Sequence, residues 1–169
     1  VTEVDKIEEW IRQLLVFSRP GSIARETLDP NGLVRKTFAT ASRDASRAHV
    51  KVDLRLADPP PSARGDGMLV EHVLVCLVGN AIDAMATGGT LTVTTRASGA
   101  GCEILVADTG PGIRPKDLPR VFEPFYSTKT RGTGLGLALA RRLVERMGGT
   151  LTLANGETTG AVARLHLPA

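Results

Sequence analysis

Three short stretches of the chain combine residue types that could do chemistry. In Leu77-Val78-Gly79-Asn80-Ala81-Ile82-Asp83-Ala84, two polar side chains interrupt an apolar segment with helical character. Burying either without a partner is costly. Asn80 and Asp83 are three residues apart, so on a helix they share a face. They could simply point to solvent or cap a neighbouring loop. A carboxamide oxygen is, however, a hard ligand that suits Mg²⁺ bridging a substrate's phosphates. The second stretch, Asp108-Thr109-Gly110-Pro111-Gly112-Ile113, follows a strand-like run. Its alternating glycines let the backbone turn tightly and approach a planar ligand. A carboxylate there could accept a hydrogen bond from an exocyclic amino group such as that of adenine, although an ordinary turn would look the same. The third, Gly132-Thr133-Gly134-Leu135-Gly136-Leu137, runs into a helix. Unpaired N–H groups and the positive end of the helix dipole favour an anion, phosphate above all. No Lys-Ser/Thr pair follows the last glycine as in a P-loop, and no β-α-β unit surrounds the stretch. A purely structural turn is the alternative.

Several elements must position these stretches. Residues 4 to 17 place Val4, Ile7, Ile11, Leu14 and Leu15 at helical spacing, close to a coiled-coil seam, and Pro20-Gly21 ends the pattern. Glu26-Thr27-Leu28 reads as a short strand, and Pro30 opens a helix to about Ala48. Val50 to Leu56 alternates as a half-buried strand, broken by Pro59-Pro60-Pro61. An apolar helix runs from Gly67 to about Met85, and strands Leu91 to Arg96 and Cys102 to Ala107 form a hairpin. Residues 108 to 134 are rich in Gly and Pro; a helix from Leu135 to Met147 and strands Leu151 to Ala154 and Ala161 to Leu167 follow. Hairpin-joined strands with separately arriving helices predict an α/β (α+β) two-layer sandwich, a mixed sheet with helices on a single face.

Composition narrows the function classes. An apolar fraction of 42% and a charged fraction of 23% are those of a folded soluble chain. No apolar run approaches the ~20 residues that cross a bilayer. The net charge is +3, but the basic residues are dispersed and aromatics are few, which argues against nucleic acid as a partner. Cys76 and Cys102 lack a CxxC spacing and read as buried free thiols. His49, His72 and His166 are too scattered for a zinc site.

Order and spacing together bring out a resemblance. The chain is similar to the catalytic domain of the GHKL ATPase superfamily, and within it to sensor histidine kinases of the nitrogen-regulator type. Asn80 to Ala84 resembles the N box, Asp108 to Gly112 the first glycine box, Phe122-Glu123-Pro124-Phe125 the F box and Gly132 to Gly136 the second glycine box. Leu14-Leu15-Val16-Phe17-Ser18-Arg19-Pro20 is similar to the end of a dimerisation helix. The resemblance implies that residues 1–19 end that helix, 20–25 are a linker and 26–169 bind ATP.

It implies roles as well. Asn80 would hold Mg²⁺ against the ATP phosphates; Asp83, in the nucleotide site too, would pair with a water or a lid residue. Asp108 would accept from the adenine amino group, with Gly110, Gly112 and Ile113 around the base. Residues 114 to 133 would form a mobile ATP lid bearing Tyr126 and Lys129. Lys129 is the lid cation for the γ-phosphate unless it is merely solvated, and Arg131 is a weaker candidate. Gly132, Thr133, Gly134, Leu135, Gly136 and Leu137 would wrap the phosphates. The γ-phosphoryl group would pass to a histidine on a dimerisation domain of the same or a sister chain, then to a response regulator. None of the three histidines has the phosphoacceptor's context, so that helix must be supplied. A cytoplasmic location and a homodimer through the N-terminal helix are implied too.

Three positions depart from the family's pattern: Cys76 where a second Asn is common, Asp83 where some relatives carry a base, and Gly160-Ala161 where Gly-Thr is frequent. They leave open a non-catalytic GHKL nucleotide-binding or scaffold module.

Overall fold

A computed structural model describes residues 24–129 and 132–169. The helix read over 4 to 17, the boundary at 19 and Arg131 lie outside the described residues. Strand β1 (Glu26–Leu28) leads to helix α1 (Pro30–Arg47), strand β2 (Val50–Arg55), a short β3 (Ala63–Gly65) and helix α2 (Gly67–Ala84). Strands β4 (Gly89–Ser98) and β5 (Gly101–Asp108) come next, then a 3-10 turn at Leu118–Arg120, helix α3 (Gly136–Arg146), and strands β6 (Thr150–Asn155) and β7 (Ala161–Pro168). The main sheet has the order β2-β4-β5-β7-β6. Within it β2 and β4 run parallel, and the remaining neighbours are antiparallel. β1 and β3 pair separately, antiparallel, with Leu28 opposite Ala63. Sequence reasoning does not find the three-residue β3, because its partner is distant in sequence and its length gives no periodicity.

Alternation explains the layers. Leu91 and Val93 of β4, Ile104 and Val106 of β5, and Leu165 and Leu167 of β7 point to one side and are buried. The helices pack there, α1 against β2, α2 against β5 and α3 against β6, as the expected sandwich requires. α2 is the central piece, lying beside both α1 and α3. Asp66 starts it by accepting from the amides of Met68 (3.0 Å) and Leu69 (3.2 Å). By length and composition alone this helix could cross a membrane. Here its Val70, Val73, Leu74, Leu77 and Val78 fill the core instead.

One buried polar group ties α1 to the sheet. The Thr95 hydroxyl, on β4, donates to Asn31 Oδ1 at 2.6 Å and accepts from the Ala57 amide at 2.9 Å. Asn31 Nδ2 in turn donates to the Ala57 carbonyl at 2.8 Å. Each member is satisfied, as a buried network must be. Thr95→Val keeps the shape but leaves Asn31 and Ala57 short of partners. It should cost about 1–3 kcal/mol in urea unfolding; a loss within experimental error would show that the network adds nothing.

Candidate functional site

A cleft of about 620 Å³ opens between α2, the ends of β5, β6 and β7, and the described residues between Gly112 and Leu137. That is an ordinary size for a small-molecule site. Of the described residues expected to touch nucleotide or metal, all line it except Gly110 and Leu135. Gly110 acts behind the wall by donating its amide to Asp108, and Leu135 is the residue from which α3 starts.

Asp108 ends β5 at one side of the cleft. Its Oδ1 accepts from the amides of Gly110 (2.9 Å) and Ala161 (3.2 Å), while Oδ2 has no hydrogen-bond partner among the described residues. The carboxylate is thus fixed in orientation with one oxygen left for a donor in the cleft. The Ala161 amide does this although its methyl side chain offers no hydroxyl. Gly112 has φ +73°, and a Cβ there would come within 2.9 Å of Asn155 Oδ1 and 3.0 Å of the Gly160 carbonyl. Any side chain would be strained as well as crowded. Asn155 grips the loop from β6: its Oδ1 accepts from the Ile113 amide at 2.7 Å, and its Nδ2 donates to the Ile113 carbonyl at 2.8 Å. Sequence reasoning missed Asn155; a strand-ending Asn before Gly156 was the available signal. Leu77, Ala81, Val106, Leu153 and Ala163 give the cleft an apolar side fit for a flat ring.

On α2, Asn80 and Asp83 share a face as their spacing requires, and neither is simply solvated. Lys129 Nζ donates to Asn80 Oδ1 at 2.8 Å and to Asp83 Oδ2 at 2.7 Å. Asn80 Nδ2 also donates to Cys76 Sγ at 3.6 Å. Cys76 is therefore half-buried at the cleft wall, which corrects its reading as a buried core thiol. Cys102 does fit that reading: burial above all, and then the Glu103 carboxylate, push its thiol up to about 11.

The third wall is the start of α3. No side chain caps this helix, and Gly136 and Leu137 of its first turn line the cleft. Its first amides and the helix dipole make a place for an anion. Gly134, at φ +69°, lets the Phe125–Tyr126 backbone pass against it, and the Phe125 amide donates to the Gly134 carbonyl at 3.0 Å. The segment before it is organised around Asp117, only 4% exposed. Asp117 Oδ1 accepts from the Tyr126 hydroxyl at 2.7 Å and Oδ2 from Arg114 Nε at 2.5 Å. Arg120 stacks over the Tyr126 ring at 4.1 Å.

These contacts shift both partners. The Tyr126 hydroxyl, followed by Arg114, holds the Asp117 carboxyl below its ordinary 3.8. Accepting that bond, Asp117 raises Tyr126 above its ordinary 10.0. The anchor's contribution is therefore present above the ordinary carboxylate value and lost as pH falls through the lowered one. At the alkaline end it is present below 10.0 and lost as pH rises through the raised tyrosine value. Tyr126→Phe should move the Asp117 titration, followed by carboxyl carbon NMR, up toward 3.8; an unmoved titration would mean that the hydroxyl does not hold the carboxylate.

Comparison with known proteins agrees with this geometry. Residues 65–169 match the family described as histidine kinase-, DNA gyrase B- and HSP90-like ATPases. The sensor histidine kinase ZraS of Escherichia coli K12 is 35% identical over 166 residues, covering 98% of this chain and 36% of its own length. This chain therefore spans about a third of that relative. The catalytic domain of histidine kinase ThkA superposes with a TM-score of 0.78 at 26% identity, over 85% of this chain and 95% of its own. Full-length ShkA in complex with AMPPNP superposes with a TM-score of 0.84 at 28% identity, over 97% of this chain and 36% of its own. With its mixed sheet, single helical layer and three-walled cleft, the chain belongs to the histidine kinase-, DNA gyrase B- and HSP90-like ATPase family, and within it is similar to the catalytic domains of sensor histidine kinases.

Proposed function

We propose that this cleft binds ATP with Mg²⁺ and presents the γ-phosphoryl group to a histidine on a dimerisation domain. The observation that carries this reading is Asp108, whose carboxylate is held by two backbone amides with its second oxygen left to the cleft. An exocyclic amino group is the natural donor for that oxygen, and the apolar side beside it suits adenine. The α3 N-terminus then receives the phosphates.

The donor set also fits a hard cation. Asn80 Oδ1 and Asp83 Oδ2 already hold the positively charged Lys129 Nζ, so they form a local oxygen site for positive charge. Bound there, Mg²⁺ would neutralise phosphate charge. The residues' own share is positioning: Asp108 orients the base, the amides at Gly136 and Leu137 orient the phosphates, and Lys129 supplies a mobile positive charge. A histidine nitrogen attacks the γ-phosphorus, the bond to the bridging oxygen breaks, and ADP leaves with that electron pair. The acceptor would be supplied by a dimerisation domain of the same or a sister chain, with a response regulator receiving the group afterwards.

A second reading, a non-catalytic nucleotide-binding module, draws on Cys76 beside Asn80 and on the missing hydroxyl at Ala161. ADP release on adding a histidine-bearing dimerisation domain separates the two. Binding itself is tested by titrating the chain with ATP by calorimetry. Asp108→Asn should weaken ATP by about tenfold or more, the worth of a hydrogen bond to a charged group, with the melting temperature near that of the parent. Unchanged affinity in that variant, or no binding by the folded parent chain, would contradict the proposal.

A further inference from the structure

Lys129 marks a point of its own in the cleft. Its Nζ lies 2.8 Å from Asn80 Oδ1 and 2.7 Å from Asp83 Oδ2, so both oxygens converge on one position occupied by positive charge. One oxygen belongs to a neutral carboxamide and the other to a carboxylate, whose single charge is shared by its two oxygens. Their positions on a single face of α2 follow from the three-residue spacing, and α2 is anchored in the core. The side that bears the lysine is the lid, whose backbone is turned there by two further bonds. The Lys129 amide donates to Ser127 Oγ at 3.1 Å, and the Gly132 amide donates to the Lys129 carbonyl at 3.1 Å. A seat on a rigid helix is thus filled from a loop.

We infer that Asp83 is a second protein group for the divalent cation, and that Lys129 and the cation exchange in the seat formed by Asp83 and Asn80. The inference rests on the nucleotide-binding reading of the cleft and goes beyond it. An ammonium and a divalent ion cannot share one pair of oxygens at these distances, because their mutual repulsion adds to the loss of ligands for each. Arrival of the metal therefore removes Lys129 from α2. The turn around Lys129 keeps its released Nζ near the cleft, where the phosphates carry the opposite charge. Metal binding and delivery of the lid's cation become one event.

The magnitude suits exchange rather than a lock. The side chains of Lys129 and Asp83 are 42% and 63% exposed, and an ion pair that open to water is readily broken. A small, doubly charged cation offered a carboxylate and a carboxamide oxygen competes well for that position.

The test measures the Mg²⁺ concentration that half-saturates ADP binding by the whole chain, followed by calorimetry. ADP is used because it lacks the γ-phosphate that a freed lysine would contact. In Lys129→Gln, the competitor is gone, and the Mg²⁺ requirement should fall about threefold. In Asp83→Asn, a charged ligand is gone, and the requirement should rise about tenfold. Thermal melts check that both variants, altered at exposed positions, remain folded. If Asp83 merely tethered the lysine, Asp83→Asn would lower the requirement as Lys129→Gln does, and the inference would fall. It would fall equally if neither variant moved the requirement, or if ADP bound with no dependence on Mg²⁺, while the nucleotide site itself stood. No ADP binding by the folded parent chain would remove both.

Discussion

Helix α2 has to satisfy two environments at once, and the rest of the molecule is arranged around that constraint. One face, through Val70, Leu74, Leu77 and Val78, is the centre of the core. The adjoining face carries Asn80 and Asp83 at the wall of an open cleft. Val70, Val73, Leu74, Leu77, Val78, Ala81 and Ile82 are covered by the sheet and the two flanking helices, while Met68 and Val75 stay exposed. Because burial fixes the helix, the backbone positions of the two polar groups are fixed as well, and Lys129 then bonds to both side chains. The α2 wall of the cleft is the back of the core.

The opposite wall is made differently. Asp108 stands at the end of a strand, where backbone amides from Gly110 and Ala161 hold it, and Asn155 holds the loop beyond. These are local hydrogen bonds reinforced by the register of β5, β6 and β7. Between the two rigid walls lies a segment with little regular structure, pinned internally by Asp117, Tyr126 and Arg114 and by the Phe125–Gly134 bond. Phe125 itself is 78% exposed at φ +65°. The described part of that segment is held by contacts within itself and, through Lys129, by bonds to Asn80 and Asp83 of α2.

Much of this was legible because the relevant signals are short-range. Period-two alternation in β2, β4 and β7, the Pro30 helix start and the apolar run of α2 each follow from neighbouring residues. The same holds for Gly112 and Gly134, whose positive φ values are what the glycine-rich stretches require. What stayed hidden depends on distant pairs. β3 exists because Ala63 meets Leu28, and Asn155 matters because β6 returns beside Ile113, 42 residues away. Lys129 reaching Asn80 across 49 residues is of the same kind. Cys76 misled for another reason: its neighbours in sequence are apolar, but its helix face is the one that turns to the cleft.

In the proposed function, one cleft seats a base at Asp108 and phosphates at the start of α3. Amide NMR of the chain titrated in turn with adenosine and with Mg²⁺-ADP tests it most directly. Adenosine should shift the amides of Gly112, Ile113 and Ala161 and leave Gly136 and Leu137 unmoved; Mg²⁺-ADP should shift both groups. Shifts at Gly136 and Leu137 with adenosine alone, or no shift around Asp108 with either ligand, would contradict this placement of base and phosphates.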